Sequence, residues 1–183
     1  TDFTIHTKDS APEASQSLLD DSINAFGMIP NLHGVMAESP ELLESYQILH
    51  NKALNTSFSP EELTVVWQTA NVEHECHYCV PAHTGIAKSM KVDDSITDAL
   101  RNKTPLPEKL EVLRETTKAI LIDRGNPEAN QLKAFFDAGY TKQQLLEIIL
   151  VLARKVMSNY VNHLADTPVD KAFAKYEWHP EKN

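Results

Sequence analysis

Apolar residues recur at intervals of three and four along most of the chain, which is the spacing of one face of an α-helix. Leu19, Ile23 and Phe26 follow this spacing and predict a first helix that ends at Gly27. Later helix starts are marked by a capping residue followed by proline or acidic residues, as in Ser59-Pro60-Glu61-Glu62. The chain has only five glycines. These features predict an all-α protein with helices over about residues 19–26, 40–54, 60–73, 79–90, 93–100, 110–124, 128–138, 141–164 and 170–176.

The segment from Thr141 to about Leu164 is predicted to be the most apolar helix, because residues 145–152 leave almost no polar face. A helix that is apolar on all sides is buried on all sides, and a subunit interface would account for such burial. The helix start at Thr141 resembles the helix start at Ser59, and the apolar positions that follow the two starts along the chain correspond. We therefore expect two related helical units in an oligomeric protein.

Length and charge narrow the class of protein. The chain has 183 residues and a formal net charge of −9, which argues against a general nucleic-acid or anionic-membrane surface. The longest strongly apolar run, residues 148–153, is too short to span a bilayer, and the first ten residues do not resemble a signal peptide. We expect a soluble, cytoplasmic protein forming one domain over residues 1–183, with a loose N-terminal arm (1–10) and a polar C-terminal tail (174–183).

The candidate chemistry lies in one stretch with the spacing Glu73-x-x-Cys76-x-x-Cys79-x-x-x-His83, which contains both cysteines of the protein. Steps of three, three and four residues return to one face of a helix. A carboxylate, two thiols and an imidazole on one face suit thiol chemistry: one sulfur attacks, the second traps it, and the imidazole and carboxylate move protons.

Pro81 indicates where the helix of this motif begins, because proline is tolerated in the first turn of a helix but not in its interior. The helix is therefore predicted to start between His77 and Cys79, with Glu73 at the end of the preceding helix. Cys79 would lie in the first turn, where unpaired N–H groups and the positive end of the helix dipole stabilise a thiolate. His83 would lower the thiol pKa further through a hydrogen bond or a charge.

Other interpretations of these residues stay open at the sequence level. One alternative is that the cysteines are two inert buried thiols in a structural oligomer. A zinc site is a further alternative, with Cys76, Cys79 and His83 joined by His74, His77 or Glu73. No second Cys or His pair with ligand spacing accompanies them, and we expect neither a metal nor an organic cofactor.

The motif Glu73-x-x-Cys76-x-Tyr78-Cys79-x-x-x-His83, preceded by Ser59-Pro60-x-Glu62-Leu63, resembles the alkylhydroperoxidase D-like branch of the carboxymuconolactone decarboxylase family. Two further stretches, residues 27–31 and 159–163, resemble the peroxidase-related subgroup of that branch, and the resemblance covers roughly residues 20–173. It implies an all-helical fold, assembly into trimers or hexamers, and thiol-dependent reduction of hydroperoxides.

The resemblance also implies a role for each residue. Cys79 corresponds to the thiolate that attacks the peroxide, and Cys76 to the thiol that then closes a disulfide. His83 and a glutamate, Glu73 or Glu62, correspond to the proton relay. A partner dithiol, on a lipoyl or thioredoxin-like protein, would reduce the disulfide.

At Tyr78 the sequence departs from alkylhydroperoxidase D, which has a histidine at the corresponding position. The relay glutamate of alkylhydroperoxidase D also lies farther upstream than the position of Glu73. His77 is a candidate substitute for the missing imidazole, and His163 is a candidate to approach the motif from the repeated helix. A general dithiol–disulfide exchange protein is the second enzymatic hypothesis. Lactone decarboxylation is a weaker one, because nothing in the sequence specifically recognises a carboxylated lactone.

Overall fold

The structure is a computed structural model that describes residues 2–180, and this part of the chain is all-helical, without a β-strand. The all-α prediction is therefore confirmed. The elements are α1 (Glu13–Phe26), α2 (Asn31–Met36), α3 (Pro40–Leu54), α4 (Pro60–Glu73), α5 (Cys79–Ser89), α6 (Asp94–Asn102), α7 (Glu108–Ile122), α8 (Ala129–Asp137), α9 (Lys142–Ala165) and a short 3-10 helix (Ala174–Tyr176).

Local capping explains most of the helix boundaries. The Ser59 hydroxyl accepts a hydrogen bond from the Glu62 N–H, and the Glu62 carboxylate accepts one from the Ser59 N–H, which is the predicted capping box. Thr141 and Gln144 form the same arrangement at the start of α9. Gly27 ends α1 in the left-handed region, with φ of 72°, which glycine adopts without strain.

Helix α4 lies at the centre of the molecule and packs against α5, α6, α7 and α9. Ten consecutive residues of α4, from Leu63 to Val72, are buried, and Trp67 is the largest fully buried side chain. One apolar cluster joins α4 to α6, α7, α8 and α9. A second cluster draws on α1, α2 and α3 and contains both cysteines. The motif therefore lies where α4 and α5 meet the N-terminal helices.

The composition of α9 had indicated burial on all sides, but part of the helix surface is exposed within one chain. Ile148, Val151 and Leu152 are buried against the core, but Leu146 is 71% exposed and Ile149 is 48% exposed. A similar difference separates the two neighbouring phenylalanines of α8: Phe135 is buried, whereas Phe136 is 39% exposed. The oligomeric state stays a prediction.

The N-terminal arm contacts α2 through His6, although most of the described side chains of the arm are exposed. The His6 N–H donates to the Gly34 carbonyl at 3.0 Å, and the His6 ring lies 2.6 Å from the Glu38 carboxylate. A Cβ on Gly34 would lie 2.8 Å from Ile5, so the arm approaches α2 more closely than a larger residue would allow. Thr1, the first residue of the predicted arm, lies outside the described residues.

The C-terminal segment is also attached, by Arg101 of α6. Arg101 donates hydrogen bonds to the carbonyls of Tyr176 and Glu177, and the Trp178 indole donates to the Arg101 carbonyl. The predicted last helix is reduced to the 3-10 turn, and residues 181–183 of the predicted tail lie outside the described residues. In the part of the chain that the structure describes, no helix combines the length and the apolar character needed to cross a membrane.

Candidate active site around the cysteine pair

Both cysteines lie at the junction between α4 and α5. Helix α4 ends at Glu73, and after a short turn the Cys76 N–H donates to the Asn71 carbonyl at 2.9 Å. Cys79 is the first residue of α5, and Pro81 is the third, where its missing N–H leaves no backbone hydrogen bond unmade. The helix start that Pro81 predicted is therefore confirmed.

The two sulfur atoms share hydrogen-bond partners. The Cys79 N–H donates to Cys76 Sγ at 3.2 Å. The side-chain amide of Asn162, on α9, donates to Cys79 Sγ at 3.2 Å and reaches Cys76 Sγ at 3.9 Å. One amide group therefore contacts both sulfurs, which places the thiols close together and side by side.

A cavity of about 270 Å³ opens beside one of the two thiols. Cys79 lines it, whereas Cys76 does not, so a small molecule in the cavity would meet Cys79 first. Most of the wall is apolar. The lining residues are Phe26, Met28, Pro30, Leu32, His33, Tyr46, His50, Tyr78, Cys79, Ala82, His83, Ile86, Arg154, Lys155, Ala172 and Phe173.

Gly85 allows the wall residue Phe173 to lie against α5, because a Cβ on Gly85 would lie 2.6 Å from the Phe173 ring. Gly85→Ala should therefore displace Phe173 and lower the free energy of unfolding by about 1–3 kcal/mol, as overpacked positions do. Urea denaturation measures the change. Ser89→Ala, on the exposed surface of the same helix, should stay within about 0.5 kcal/mol of the wild type. Equal stability of the two variants would show that Phe173 does not hold this position.

Lys155 supplies a buried positive charge next to the thiols. The side chain is fully buried on α9, and Nζ donates to His83 Nε2 at 2.9 Å. Burial lowers the pKa of Lys155 to about 8, although the negative charge of Cys79 opposes that change. The amine is therefore mostly charged at neutral pH but gives up its proton more readily than an ordinary lysine, which suits proton transfer.

The two thiols differ in their affinity for a proton. Burial by itself raises the pKa of Cys79, but a hydrogen bond from the Cys76 thiol, the charge of Lys155 and hydrogen bonds from Ser158 and Asn162 outweigh it, so that the pKa lies well below the usual value. The hydrogen bond to Cys79, together with burial, raises the pKa of Cys76. The resting pair is therefore a Cys79 thiolate that accepts a hydrogen bond from a neutral Cys76 thiol.

His83 lies in the site, but not as the expected cation. Burial, followed by the charges of Lys155 and Arg154, holds the pKa of His83 well below its ordinary value, so the ring is neutral. Its Nε2 accepts from Lys155, its ring packs edge-on to Trp67 at 4.5 Å between centroids, and its Nδ1 is buried without a partner. The charge expected of His83 comes from Lys155 instead.

The structure does not bring the candidate glutamates to the thiols. Glu73 Oε1 lies 3.3 Å from Lys118 Nζ, in a separate surface depression next to α7. Glu62 caps α4 and lies 3.3 Å from Lys109. Both carboxylates are engaged by lysines or by the helix cap, and neither is among the side-chain contacts of the two sulfur atoms.

The remaining histidines of the sequence analysis have structural contacts. His74 bonds to Asn159, His77 to the carbonyl of Thr167, and His163 is exposed. Consequently the zinc ligand set considered above is not assembled, and no cluster of three or more His, Cys, Asp or Glu side chains within residues 2–180 is placed to hold a metal ion.

Tyr78 links the motif to the segment that follows α9 through a hydrogen bond. Its hydroxyl donates to the buried carboxylate of Asp170, and the same carboxylate accepts from the Asn31 N–H at 3.0 Å. The Leu32 N–H donates to the Tyr78 oxygen at 3.3 Å. Tyr78 therefore occupies the position of the missing histidine as an anchoring residue with a neutral side chain.

Comparison with solved structures identifies the arrangement of helices. An uncharacterized peroxidase-related protein from Silicibacter sp. TM1040 superposes with a TM-score of 0.78 at 17% identity, over 94% of this chain and 95% of that one. The alkylhydroperoxidase AhpD core of an uncharacterized peroxidase-related protein from Ralstonia eutropha JMP134 gives 0.75 at 18% identity, over 93% of each chain. The chain has the AhpD-like fold.

The AhpD-like fold is not tied to one reaction. A cysteine-to-alanine variant of the debrominase Bmp8, in complex with 2,3,4-tribromopyrrole, also has it, with a TM-score of 0.74 and 17% identity over 94% of this chain and 93% of that one. No family model matches the sequence, and no curated protein matches it. Identities this low support the fold alone, so the activity has to be argued from the site.

Three residues of the site were missed in the sequence: Arg154, Lys155 and Asn162, all on α9. One pattern could have indicated the first two. They are adjacent cations in the middle of an apolar helix, and no acidic residue lies within one helical turn of them. Buried cations without a local partner mark functional sites more often than surface lysines do. Asn162 had no comparable pattern, because only the packing of α9 against the motif brings it to the sulfurs.

Proposed function

We propose that the protein reduces organic hydroperoxides through Cys79 and Cys76. The observation that carries this proposal is the placement of Cys79: a low-pKa thiolate that lines an apolar cavity, with a buried ammonium group beside it and a second thiol behind it. A nucleophilic thiolate, a proton donor and a resolving thiol are the three groups that this chemistry requires.

In the first step the Cys79 thiolate attacks the terminal oxygen of the hydroperoxide. A sulfur–oxygen bond forms, the O–O bond breaks, and Cys79 becomes a sulfenic acid. The departing alkoxide takes a proton from the Lys155 ammonium and leaves as an alcohol. Lys155 suits this transfer because its pKa of about 8 makes it a much stronger acid than an ordinary lysine.

In the second step Cys76 resolves the sulfenic acid. The neutral Lys155 amine takes the Cys76 proton, the Cys76 sulfur attacks Cys79, and the departing hydroxide takes the proton back to form water. The product is a Cys76–Cys79 disulfide with a neutral Lys155. An external dithiol then restores the pair in two exchange steps and returns the proton to Lys155.

The reductant in this proposal is a slender dithiol carried by a partner protein. Cys76 is fully buried and Cys79 is 2% exposed, so a folded thioredoxin-like surface has no direct access to either sulfur. A lipoyl arm fits the apolar cavity better, because it brings two thiols on a flexible chain.

The proposal predicts that one equivalent of tert-butyl hydroperoxide removes both thiols from the reduced protein. Intact-mass spectrometry after alkylation should show the loss of two labelled sites, and peptide mapping should find a Cys76–Cys79 bond. The two cysteines are the only ones in the chain, so the count is unambiguous. Two thiols that survive peroxide but are oxidised by dithiol partners would instead identify a dithiol–disulfide exchange protein.

A further inference from the structure

Arg154 is buried in the wall of the cavity, and its guanidinium lies over the Tyr46 ring, 4.6 Å from the ring centre, in a cation–π contact. It is 3% exposed, and one terminal nitrogen donates to the Tyr46 hydroxyl at 2.7 Å while the other lies 3.5 Å from His83 Nε2. Its Nε is buried without a hydrogen-bond partner. Within residues 2–180, no carboxylate lies within 4.0 Å of the guanidinium.

The other groups that face the cavity do not neutralise this charge. The Cys79 thiolate is matched by the Lys155 ammonium. Burial and the charge of Arg154 lower the pKa values of His33 to about 3 and of His50 to about 2, so both rings are neutral. The Asp170 carboxylate is held by Tyr78 and by the Asn31 backbone. The cavity therefore carries one net positive charge.

A buried guanidinium without a counter-ion is unfavourable, and a bound anion would relieve it. We propose that the substrate is a small apolar hydroperoxide that carries a carboxylate, with Arg154 binding the carboxylate while Cys79 attacks the peroxide. This inference rests on the proposed function for the reaction, but it concerns a separate binding contact. The sequence had shown no group that recognises a carboxylate, and Arg154 is such a group.

The geometry favours a carboxylate over a larger anion. The planar guanidinium of arginine presents N–H donors in a geometry that matches the two oxygens of a carboxylate. A phosphate or sulfate presents more oxygens than this mostly apolar wall can satisfy. Arg154 and Cys79 line the same cavity, so one small molecule can contact both the guanidinium and the reacting sulfur.

The test compares matched hydroperoxides. The substrates are 4-(2-hydroperoxypropan-2-yl)benzoic acid and its methyl ester, which differ in charge at one end. We expect kcat/KM for the acid to exceed that for the ester by about tenfold to a hundredfold, the range of a charge-assisted hydrogen-bonded pair. In Arg154→Met the preference should disappear, and in Arg154→Lys it should fall only in part. Lys142→Met, at the exposed start of the same helix, should keep it. Equal rates for acid and ester, or a preference that survives Arg154→Met, would overturn the inference.

A binding measurement separates this inference from the proposed reaction. Calorimetry of the reduced wild-type protein with 4-isopropylbenzoate and with 4-isopropylbenzamide needs neither turnover nor a variant that folds. Selective binding of the benzoate supports the anion contact even if no hydroperoxide is consumed, in which case only the reaction fails. Rapid reduction of neutral hydroperoxides without selective binding of the benzoate would overturn the inference of a carboxylate-bearing substrate. The proposed peroxidase activity would still stand.

Discussion

Cys79→Ser should abolish hydroperoxide consumption, with a loss of about three orders of magnitude or more, because the variant has no nucleophile facing the cavity. The rate of hydroperoxide consumption is measured by an absorbance assay coupled to peroxide reduction or by direct titration of the remaining peroxide. Cys76→Ser is the matched control, since it removes the other sulfur and leaves the cavity wall intact. It should react once per chain and stop as a Cys79 sulfenic acid, which intact-mass spectrometry detects as one added oxygen.

The two serine variants together test the assignment of roles. A Cys79→Ser protein that still consumes peroxide, or a Cys76→Ser protein that turns over repeatedly with a dithiol, would reverse or remove the assigned roles. The asymmetry has a structural origin: Cys79 lines the cavity and has the lowered pKa, whereas Cys76 lies behind it with a raised one.

Lys155→Met should slow peroxide reduction roughly 10²- to 10³-fold, because the variant loses both the charge that stabilises the Cys79 thiolate and the proton donor for the alkoxide. The side chain is buried, so methionine fills a similar volume without leaving an unpaired charge. Stopped-flow kinetics gives the rate, and the pH dependence of iodoacetamide alkylation gives the thiol pKa, which should rise. Lys142→Met, exposed on the same helix, should match the wild type in both measurements.

The pH profile of the wild type follows from the same pair of groups. The pKa of Cys79 is held well below the usual value of a thiol, which favours the thiolate. Lys155 has a pKa of about 8, so its proton is present below that pH and is lost as the pH rises through it. The rate should therefore be level near neutrality and fall above about pH 8. In Lys155→Met the alkaline fall should vanish, and a profile that still falls above pH 8 would point to another proton donor.

Local sequence was sufficient to predict the helices and the start of the motif. Ser59 with Glu62 fixed one helix start, and Pro81 fixed the position of Cys79 at the first residue of α5, because capping and proline geometry depend on residues that are close in the chain. The cysteine pair and His83 were found for the same reason: their spacing is local.

The electrostatics of the site were beyond a local argument. Glu73 was expected at the thiols because it lies three positions before Cys76, but α4 ends at Glu73 and the carboxylate lies next to Lys118. The charge that controls Cys79 belongs to Lys155, which is far away in sequence. Only the packing of α9 against α4 and α5 brings it there, and one unaligned sequence does not record that contact.

Ala172 and Phe173 line the cavity, and their place in the chain affects how molecules enter it. They belong to a turn after α9 rather than to a packed helix, and the Asp170 carboxylate holds that turn to Tyr78 and α2. Segments with few backbone hydrogen bonds open at a lower free energy than the helices around them. We expect molecules to reach and leave the sulfurs through local opening of this turn. The turnover rate and the free energy of global unfolding can then be altered independently.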